Sequence, residues 1–301
     1  MLKSITKGKV KKPLLMCLYG TEGVGKTTFA SKSDAPIFVG PESGNDNLDV
    51  SRFPTPKGWT ELLAQLDALI NEKHDFKTLV IDSLDWCERL LHNELTEQFK
   101  AKSIEDIGGG YGRYVSIVNN EWSRLIESTR ILREKNGMSI IMIAHYMVKT
   151  FTDPMTSSPY DRYQMKLLDK SSALFREYVD IMAFATFEVA CKAEGTASKG
   201  KAKGEGFRIM YTEKRPSHDA KNRFSMPYII AFDYDEFKKE MDASNPDKLK
   251  EINKEINDML IDIKDTDLVA KVNQTLKKST DNYQQLLAIK NRLMVLTNGS
   301  K

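Results

Sequence analysis

The chain has 301 residues, enough for one large domain or for one domain with an appendage, and its formal net charge is +3. Hydrophobic residues make up 41% of it and charged residues 29%, which is typical of a soluble globular protein. No apolar run approaches the roughly 20 residues of a membrane-spanning helix, and the basic segment 1–12 lacks the apolar centre of a secretory signal. The net charge is too small to argue for nucleic-acid binding by itself.

The predicted elements alternate between strands and helices. Early apolar runs have the length and composition of buried strands, and they cover residues 13–19, 37–39, 78–81 and 138–144. Apolar residues at helical spacing predict helices at 59–72, 86–100, 115–135 and 166–177. Later strands are predicted at 179–190, 207–213 and 228–232, and a polar loop at 146–164. This alternation predicts an α/β fold, a doubly wound and mostly parallel sheet with helices on both faces.

The composition changes near residue 236. Residues 246–296 have helical patterning and mixed charges, and they contain no glycine. We therefore predict a core domain over residues 1–236 and a small helical C-terminal appendage over residues 237–301.

The cysteines and histidines point to no metal site. The three cysteines, Cys17, Cys87 and Cys191, are odd in number and widely spaced, and the four histidines show no ligand spacing. This pattern predicts reduced thiols without a disulfide framework or a zinc site, as in a cytoplasmic protein.

Residues 20–27 form a complete G-x-x-x-x-G-K-[ST] phosphate loop between the first predicted strand and a helix. Glycines there let successive backbone N–H groups point at one anion, and the helix adds the positive end of its dipole. We expect Lys26 to reach the β- and γ-phosphates and the Thr27 hydroxyl to hold Mg²⁺. The candidate nucleotide-binding residues are Gly20, Thr21, Glu22, Gly23, Val24, Gly25, Lys26, Thr27 and Thr28.

Three polar side chains follow predicted strands at the edge that carries the phosphate loop. Asp82 closes an apolar run, so its carboxylate can hold Mg²⁺ through water, opposite Thr27; the alternative is a helix cap. Glu42 is a candidate to orient or deprotonate the attacking water, or is an ordinary loop acid. His145 is a candidate sensor of the γ-phosphate, or a packed histidine at a strand end.

A basic cluster follows later in the chain, at residues 214–216 and 221–224. In a monomer it would be a solvated turn. In a ring or filament, Lys221 and Arg223 could insert into a neighbour's ATP site and stabilise the transferring phosphoryl group.

Other phosphate-loop classes fit less well. Residues 253–256 fail the N-K-x-D base-reading motif at the last position, which disfavours GTP and leaves ATP as the expected nucleotide. There is no transporter-type L-S-G-G-Q stretch, and the loop at 146–164 has too few arginines for the lid of a small-molecule kinase.

Taken together, these residues resemble the RecA/RadA-type ATPase core, and more closely the phage-encoded P-loop proteins of that superfamily that act in single-strand annealing and recombination. The resemblance covers roughly residues 10–235, and it rests on the stretches 20–28, 109–113, 143–146, 153–154, 160–167 and 176–180. Residues 221–224 also resemble the Lys-Asn-Arg-Phe-Gly motif of RadA-type proteins, which serves ATP sensing between subunits. Ser225 replaces the glycine here, which puts the loop geometry in doubt.

The resemblance implies an oligomeric protein, a ring or a filament, that uses ATP and Mg²⁺ and binds single-stranded DNA. In RecA-like cores two mobile loops contact DNA, and aromatic residues beside cations suit single strands. The corresponding candidates here are Tyr111, Arg113, Tyr114, Lys149, Arg162 and Tyr163. The alternative is that these are surface loops with structural tyrosines.

Three functions therefore remain open. The first is a RecA-like ATPase that binds single-stranded DNA and promotes recombination or annealing in the host cytoplasm, with no membrane partner. A single-strand DNA-binding protein is then a candidate partner of the appendage. The second is an ATP-dependent assembly or regulatory protein without DNA binding, and the third a helicase-like motor or loader.

Overall fold

The computed structural model describes residues 5, 12–42, 47–188, 190–192, 201–203, 206–224, 226–243, 246–261, 263, 266–279 and 283–298. Strands and helices alternate up to about residue 190. They are β1 (Leu15–Gly20), α1 (Lys26–Ser31), β2 (Pro36–Val39), β3 (Ser51–Arg52), α2 (Trp59–Asn71), β4 (Thr78–Ile81), α3 (Leu84–Phe99), α4 (Tyr114–Glu134), β5 (Ser139–Phe151), β6 (Tyr160–Met165), α5 (Asp169–Tyr178) and β7 (Ile181–Phe187).

The later elements are short strands and then helices. They are β8 (Ala190–Lys192), β9 (Lys201–Lys203), β10 (Arg208–Tyr211), β11 (Lys221–Asn222), β12 (Ile229–Ala231), α6 (Tyr234–Ala243), α7 (Pro246–Ile261), α8 (Thr266–Ser279) and α9 (Tyr283–Asn298). Within the described ranges, no helix is long and apolar enough to span a bilayer.

One large sheet carries the fold, in the order β12-β10-β7-β1-β5-β4-β2-β3. The strands from β7 to β3 in this order are parallel, whereas β10, β11 and β12 are antiparallel additions at the β7 side. Strand β5 lies between β1, which leads into the phosphate loop, and β4, which leads into Asp82. The α/β class and the mostly parallel sheet predicted from the sequence are therefore confirmed.

Helices cover both faces of the sheet, because side chains alternate between faces along each strand. On β5, Ile140 and Met142 belong to the large core that α2, α3, α4 and α5 also build, while Ile141 packs with Ala30 of α1 on the other face. Trp122 of α4 packs between helices in the large core. Its ring contacts those of Trp59 and Phe175 edge-on, with ring centroids 5.2 Å and 4.9 Å apart.

The chain divides into two compact units. The first comprises residues 1–223 and 228–234, and the second residues 224–227 and 235–301. The second unit contains helices α7, α8 and α9, as expected of a helical C-terminal segment, and it has its own buried cluster of Ile252, Ile256, Leu260, Leu276, Leu286 and Leu293.

The prediction of a loop at residues 146–164 is wrong for most of that segment. Strand β5 continues to Phe151 and pairs antiparallel with β6, so that a β-hairpin extends from the carboxyl edge of the sheet. Aromatic pairs stabilise it from strand to strand, with ring centroids 5.5 Å apart for Tyr146 and Tyr163 and 5.7 Å apart for Phe151 and Tyr160. Only the segment between the two strands, which contains Pro154, is a turn.

Candidate nucleotide site

The phosphate loop runs from Gly20 at the end of β1 to Lys26 at the start of α1. A Cβ at Gly20 would lie 2.0 Å from the carbonyl oxygen of Ala185 on β7, so only glycine fits where β1 and β7 pair. Gly25 precedes the helix with φ 97°, in the left-handed region that favours glycine. The two glycines thus let the chain turn sharply from the strand into the helix.

Lys26 folds back over this loop. Its Nζ donates hydrogen bonds to the carbonyl oxygens of Gly20 at 3.0 Å and Thr21 at 3.1 Å. Burial lowers the pKa of Lys26, an effect that the surrounding carboxylates, with Asp82 first, oppose. The ammonium therefore lies inside the loop, where a phosphate group would contact it.

Asp82 and Thr27 meet across the carboxyl edge, as the sequence predicted for a metal pair. The Thr27 hydroxyl donates to Oδ2 of Asp82 at 2.9 Å. No group of three or more histidine, cysteine, aspartate or glutamate side chains suited to a metal occurs in the described residues. Mg²⁺ suits this pair nonetheless, because it is usually bound by few protein oxygens together with water and phosphate. When bound there, it would neutralise charge on the phosphates.

The Asp82 carboxyl is held at an energetic cost. Burial, and after it the charge of Glu42, raises the pKa of Asp82 to about 6 from its usual 3.8, against the opposing hydrogen bond from Thr27. A carboxylate kept ionised in a buried site destabilises the nucleotide-free fold unless a cation compensates for its charge.

We expect Asp82→Asn to raise the free energy of unfolding at pH 7.5, in the absence of nucleotide and Mg²⁺, by on the order of 3 kcal/mol or less. The folded state holds this proton up to a higher pH than the unfolded state does, so stability falls as pH rises from about 4 to 6. The advantage of the variant over the parent should therefore shrink at pH 4.5. Differential scanning calorimetry at both pH values measures the difference in stability between the variant and the parent. An equal or larger difference at pH 4.5 would contradict the raised pKa of Asp82.

Glu42 and His145 lie together beside this pair, which the sequence placed at the same sheet edge. His145 pairs in register with Gly20 of the phosphate loop. Its Nε2 is 3.6 Å from Oε1 of Glu42, while Oε2 of Glu42 is buried and has no hydrogen-bond partner. An unpaired buried carboxylate oxygen is an available proton acceptor, which suits a residue that activates water.

Asp85 is a member of this group that the sequence analysis missed. It lies in the first turn of α3 and accepts two hydrogen bonds from His145, one from the backbone N–H and one from Nδ1, both at 2.9 Å. Nδ1 of His145 thus has a hydrogen-bond partner, and Nε2 faces Glu42. A second carboxylate three residues after the strand-end Asp82 was the available signal.

Replacing Asp85 with asparagine should lower the pKa of His145. Hydrogen bonding to Asp85 is the largest influence that raises this pKa, and burial opposes it. An NMR titration of the imidazole resonances would measure the change, with the exposed Asp67→Asn as the matched control. An unchanged His145 pKa would show that Asp85 does not hold the ring.

Arg208 is the second residue that the sequence analysis missed. It begins β10, and its Nη1 lies 3.4 Å from the carbonyl oxygen of Val24 in the phosphate loop. Arg208 also borders a narrow cleft of about 40 Å³ along α1, where Phe29 stacks on Phe232 at 4.9 Å. The same chain thus supplies a further cation to the loop.

Lys221 and Arg223 lie at the other end of the sheet. Lys221 pairs with Met182 near the start of β7, and its Nζ donates to backbone carbonyls at the end of α5, at 2.7 Å for that of Val179. Arg223 forms an ion pair with Asp180 at 2.9 Å. Within one chain neither contacts the phosphate loop, so their action on a neighbour stays a prediction. Ser225 lies outside the described residues.

The residues predicted to contact DNA separate into exposed and packed ones. Tyr111 and Arg113 are exposed in the glycine-rich turn before α4, whereas Tyr114 packs partly against the core. Lys149 is exposed on the hairpin and forms an ion pair with Asp169.

Arg162 and Tyr163 lie on strand β6 rather than in a loop, and their contact with DNA stays a prediction. The Arg162 side chain is only 4% exposed and lies 3.7 Å from Asp219. Tyr163 stacks on Phe184 with centroids 4.9 Å apart. Both belong to a hairpin that packs onto the rest of the unit, so their first role is structural.

A family model and two known proteins are similar to parts of this chain. A family model described as an AAA domain (AAA_24) matches residues 12–224. The SPbeta prophage-derived uncharacterized protein YorG of Bacillus subtilis (strain 168) is 20% identical over 135 residues, a match that covers 44% of this chain and 40% of that protein. This chain thus matches less than half of the length of that relative.

The crystal structure of the RadB recombinase is similar with a TM-score of 0.42 and 15% sequence identity, over 72% of this chain and 86% of that one. The family model spans well over half of the chain, and the phosphate loop, Asp82 and the parallel sheet lie within its bounds. The chain belongs to the AAA domain family AAA_24 and is a P-loop ATPase.

Proposed function

We propose that the protein binds and hydrolyses ATP with Mg²⁺ and couples this reaction to single-stranded DNA binding in phage-type recombination or single-strand annealing. One observation carries the nucleotide part: Lys26, Thr27, Asp82, Glu42 and His145 converge at one edge of the sheet. This set supplies a cation for the phosphates, oxygens for the metal and an acceptor for the proton of water.

ATP is proposed as the nucleotide. The segment at 253–256 that resembles the base-reading motif of GTPases lies inside helix α7 rather than in a loop after a strand. Arg208 beside the phosphate loop adds a cation that suits the phosphates of the nucleotide.

Two features support the DNA part. Strand β5 carries His145 and continues without interruption into the hairpin, so one strand connects the nucleotide site directly to Lys149. The glycine-rich turn presents Tyr111, which is fully exposed, beside the cation of Arg113. An exposed ring next to a cation suits base stacking and phosphate contact. The prophage origin stated for YorG supports a phage context.

We expect fluorescence anisotropy to detect binding of oligothymidine to the parent protein with ATP present, with an affinity that falls steeply as salt rises. Tyr111→Ala with Arg113→Ala should weaken this binding about five- to hundred-fold, through lost stacking of ~1–3 kcal/mol per base. Nucleotide affinity should be retained, since the turn lies outside the phosphate loop.

The matched control is Lys135→Ala, which removes an exposed cation after α4. If the parent does not bind oligothymidine even at low salt, the recombination proposal fails. The assembly or regulatory ATPase without DNA binding then takes its place.

A further inference from the structure

A second basic cavity lies in the first unit, apart from the phosphate loop. Its volume is about 620 Å³, and hairpin β5–β6, helix α5 and the segment between β10 and β11 form its walls. No residue of the phosphate loop borders it. Five cations line it, namely Lys149, Arg162, Arg176, Lys214 and Lys221. We call this cavity the basic pocket.

Carboxylates balance only part of this charge. Asp169 pairs with Lys149, and Asp219 pairs with both Arg176, at 2.8 Å, and Arg162. Lys221 is bound to carbonyl oxygens rather than to a carboxylate. Lys214 forms no ion pair within the described part of the chain. The lining thus keeps an excess of positive charge.

The arginines of the pocket are held in place before any ligand arrives. The Arg162 guanidinium lies 4.4 Å from the centroid of the Phe151 ring and donates through Nε to the Pro216 carbonyl oxygen at 3.0 Å. Asp219 itself is fixed, because its carbonyl oxygen accepts a hydrogen bond from the Tyr19 hydroxyl. A site with its charges already positioned loses less entropy on binding.

One donor in the pocket has no partner. Nε of Arg176 is buried and makes no hydrogen bond. An unsatisfied buried donor of this kind destabilises a fold, and more so when the group is charged. The guanidinium fork matches the oxygens of a phosphate group in particular.

We propose that the basic pocket is a second phosphate site, which takes the phosphate group of a nucleotide-sized ligand. Its volume lies in the range of small-ligand sites and exceeds what inorganic phosphate alone would fill. The phosphate comes either from a single strand of DNA or from a free nucleotide. In the first case the inference rests on the proposed DNA binding and places part of that binding in this pocket.

The test uses the full-length chain with Lys26→Ala, so that the phosphate loop does not capture the probes. The pocket variant adds Lys149→Ala and Lys214→Ala, which are exposed side chains whose loss leaves the buried Arg162 and Asp219 in place. The control variant instead adds Lys77→Ala and Lys135→Ala, two exposed lysines outside the pocket. Equal unfolding temperatures establish that both variants are folded.

Two fluorescent probes are titrated by anisotropy, a 5′-phosphorylated thymidine dinucleotide and an oligothymidine. We expect the pocket variant to bind at least one probe about tenfold more weakly than the control variant, as the loss of one charged contact predicts. A loss confined to the oligonucleotide identifies the strand as the source, whereas a loss with the dinucleotide as well shows that a free ligand of nucleotide size is sufficient.

Equal affinity of the two variants for both probes would overturn the proposal, and so would the failure of both probes to bind. DNA binding by the parent that the pocket variant retains in full would reject the pocket but leave the proposed function standing. Dinucleotide binding that depends on the pocket, in a parent that binds no oligothymidine, would support the pocket but reject the proposed DNA binding.

Discussion

Lys26→Ala should reduce ATP hydrolysis by at least about 10²-fold and strongly weaken nucleotide binding. No other residue in the loop supplies a buried positive charge, and the Lys26 Nζ already lies within hydrogen-bonding distance of the loop carbonyls. Without it, the phosphates would lose the buried cation that offsets their repulsion by Asp82 and Glu42. Phosphate-release kinetics and titration with a fluorescent ATP analogue would measure the two effects.

The control for this change is Lys135→Ala, which removes a lysine outside the phosphate loop. Because Lys26 also bonds to the carbonyl oxygens of Gly20 and Thr21, the unfolding temperatures of both variants should be compared with that of the parent. Affinity and turnover equal to those of the parent, in a folded Lys26→Ala protein, would mean that this loop is not the nucleotide site.

Glu42→Gln is expected to leave ATP binding nearly unchanged while it slows hydrolysis by about 10²–10⁴-fold. The amide keeps the size of the side chain but does not accept a proton from water. The acceptor that is lost includes Oε2, the buried oxygen that has no partner in the structure. Single-turnover kinetics with saturating enzyme separates this chemical step from binding.

Glu72→Gln makes the same chemical change at an exposed residue directly after α2, and this variant should hydrolyse ATP at the rate of the parent. If Glu42→Gln also matches the parent, Glu42 does not activate water. The remaining carboxylates of the site, Asp82 and Asp85, would then have to be examined for that role.

The nucleotide site was largely predictable from the sequence because its signals are local. The phosphate loop is one continuous motif between a strand and a helix. Asp82 and His145 each follow an apolar run, and the carboxyl ends of parallel strands meet at one edge. Asp85 was not predicted, because its bond to His145 joins two elements that are distant in sequence.

The hairpin shows where such reasoning fails. Its strand residues mix aromatic, apolar and charged types, and the aromatic rings pair across strands that only the three-dimensional fold brings together. Arg162 is buried because Asp219, far along the chain, is there to compensate for its charge. A charged residue in a polar stretch gives no local sign of such a partner.

The position of Lys221 likewise depends on pairing between distant segments. Strand β11 has only two residues, and its contact with the start of β7 places Lys221 at the end of α5. The residue types of the basic motif at 221–224 therefore indicate a role, but the place of the motif in the fold depends on strand pairing.

The most direct test of the account is the rate of ATP hydrolysis by the parent protein with Mg²⁺, measured with and without oligothymidine at low salt. We predict measurable hydrolysis that single-stranded DNA accelerates and that Lys26→Ala abolishes under both conditions. A rate that oligothymidine leaves unchanged, or the absence of hydrolysis in both reactions, would contradict the claim that this P-loop protein couples ATP hydrolysis to single-stranded DNA.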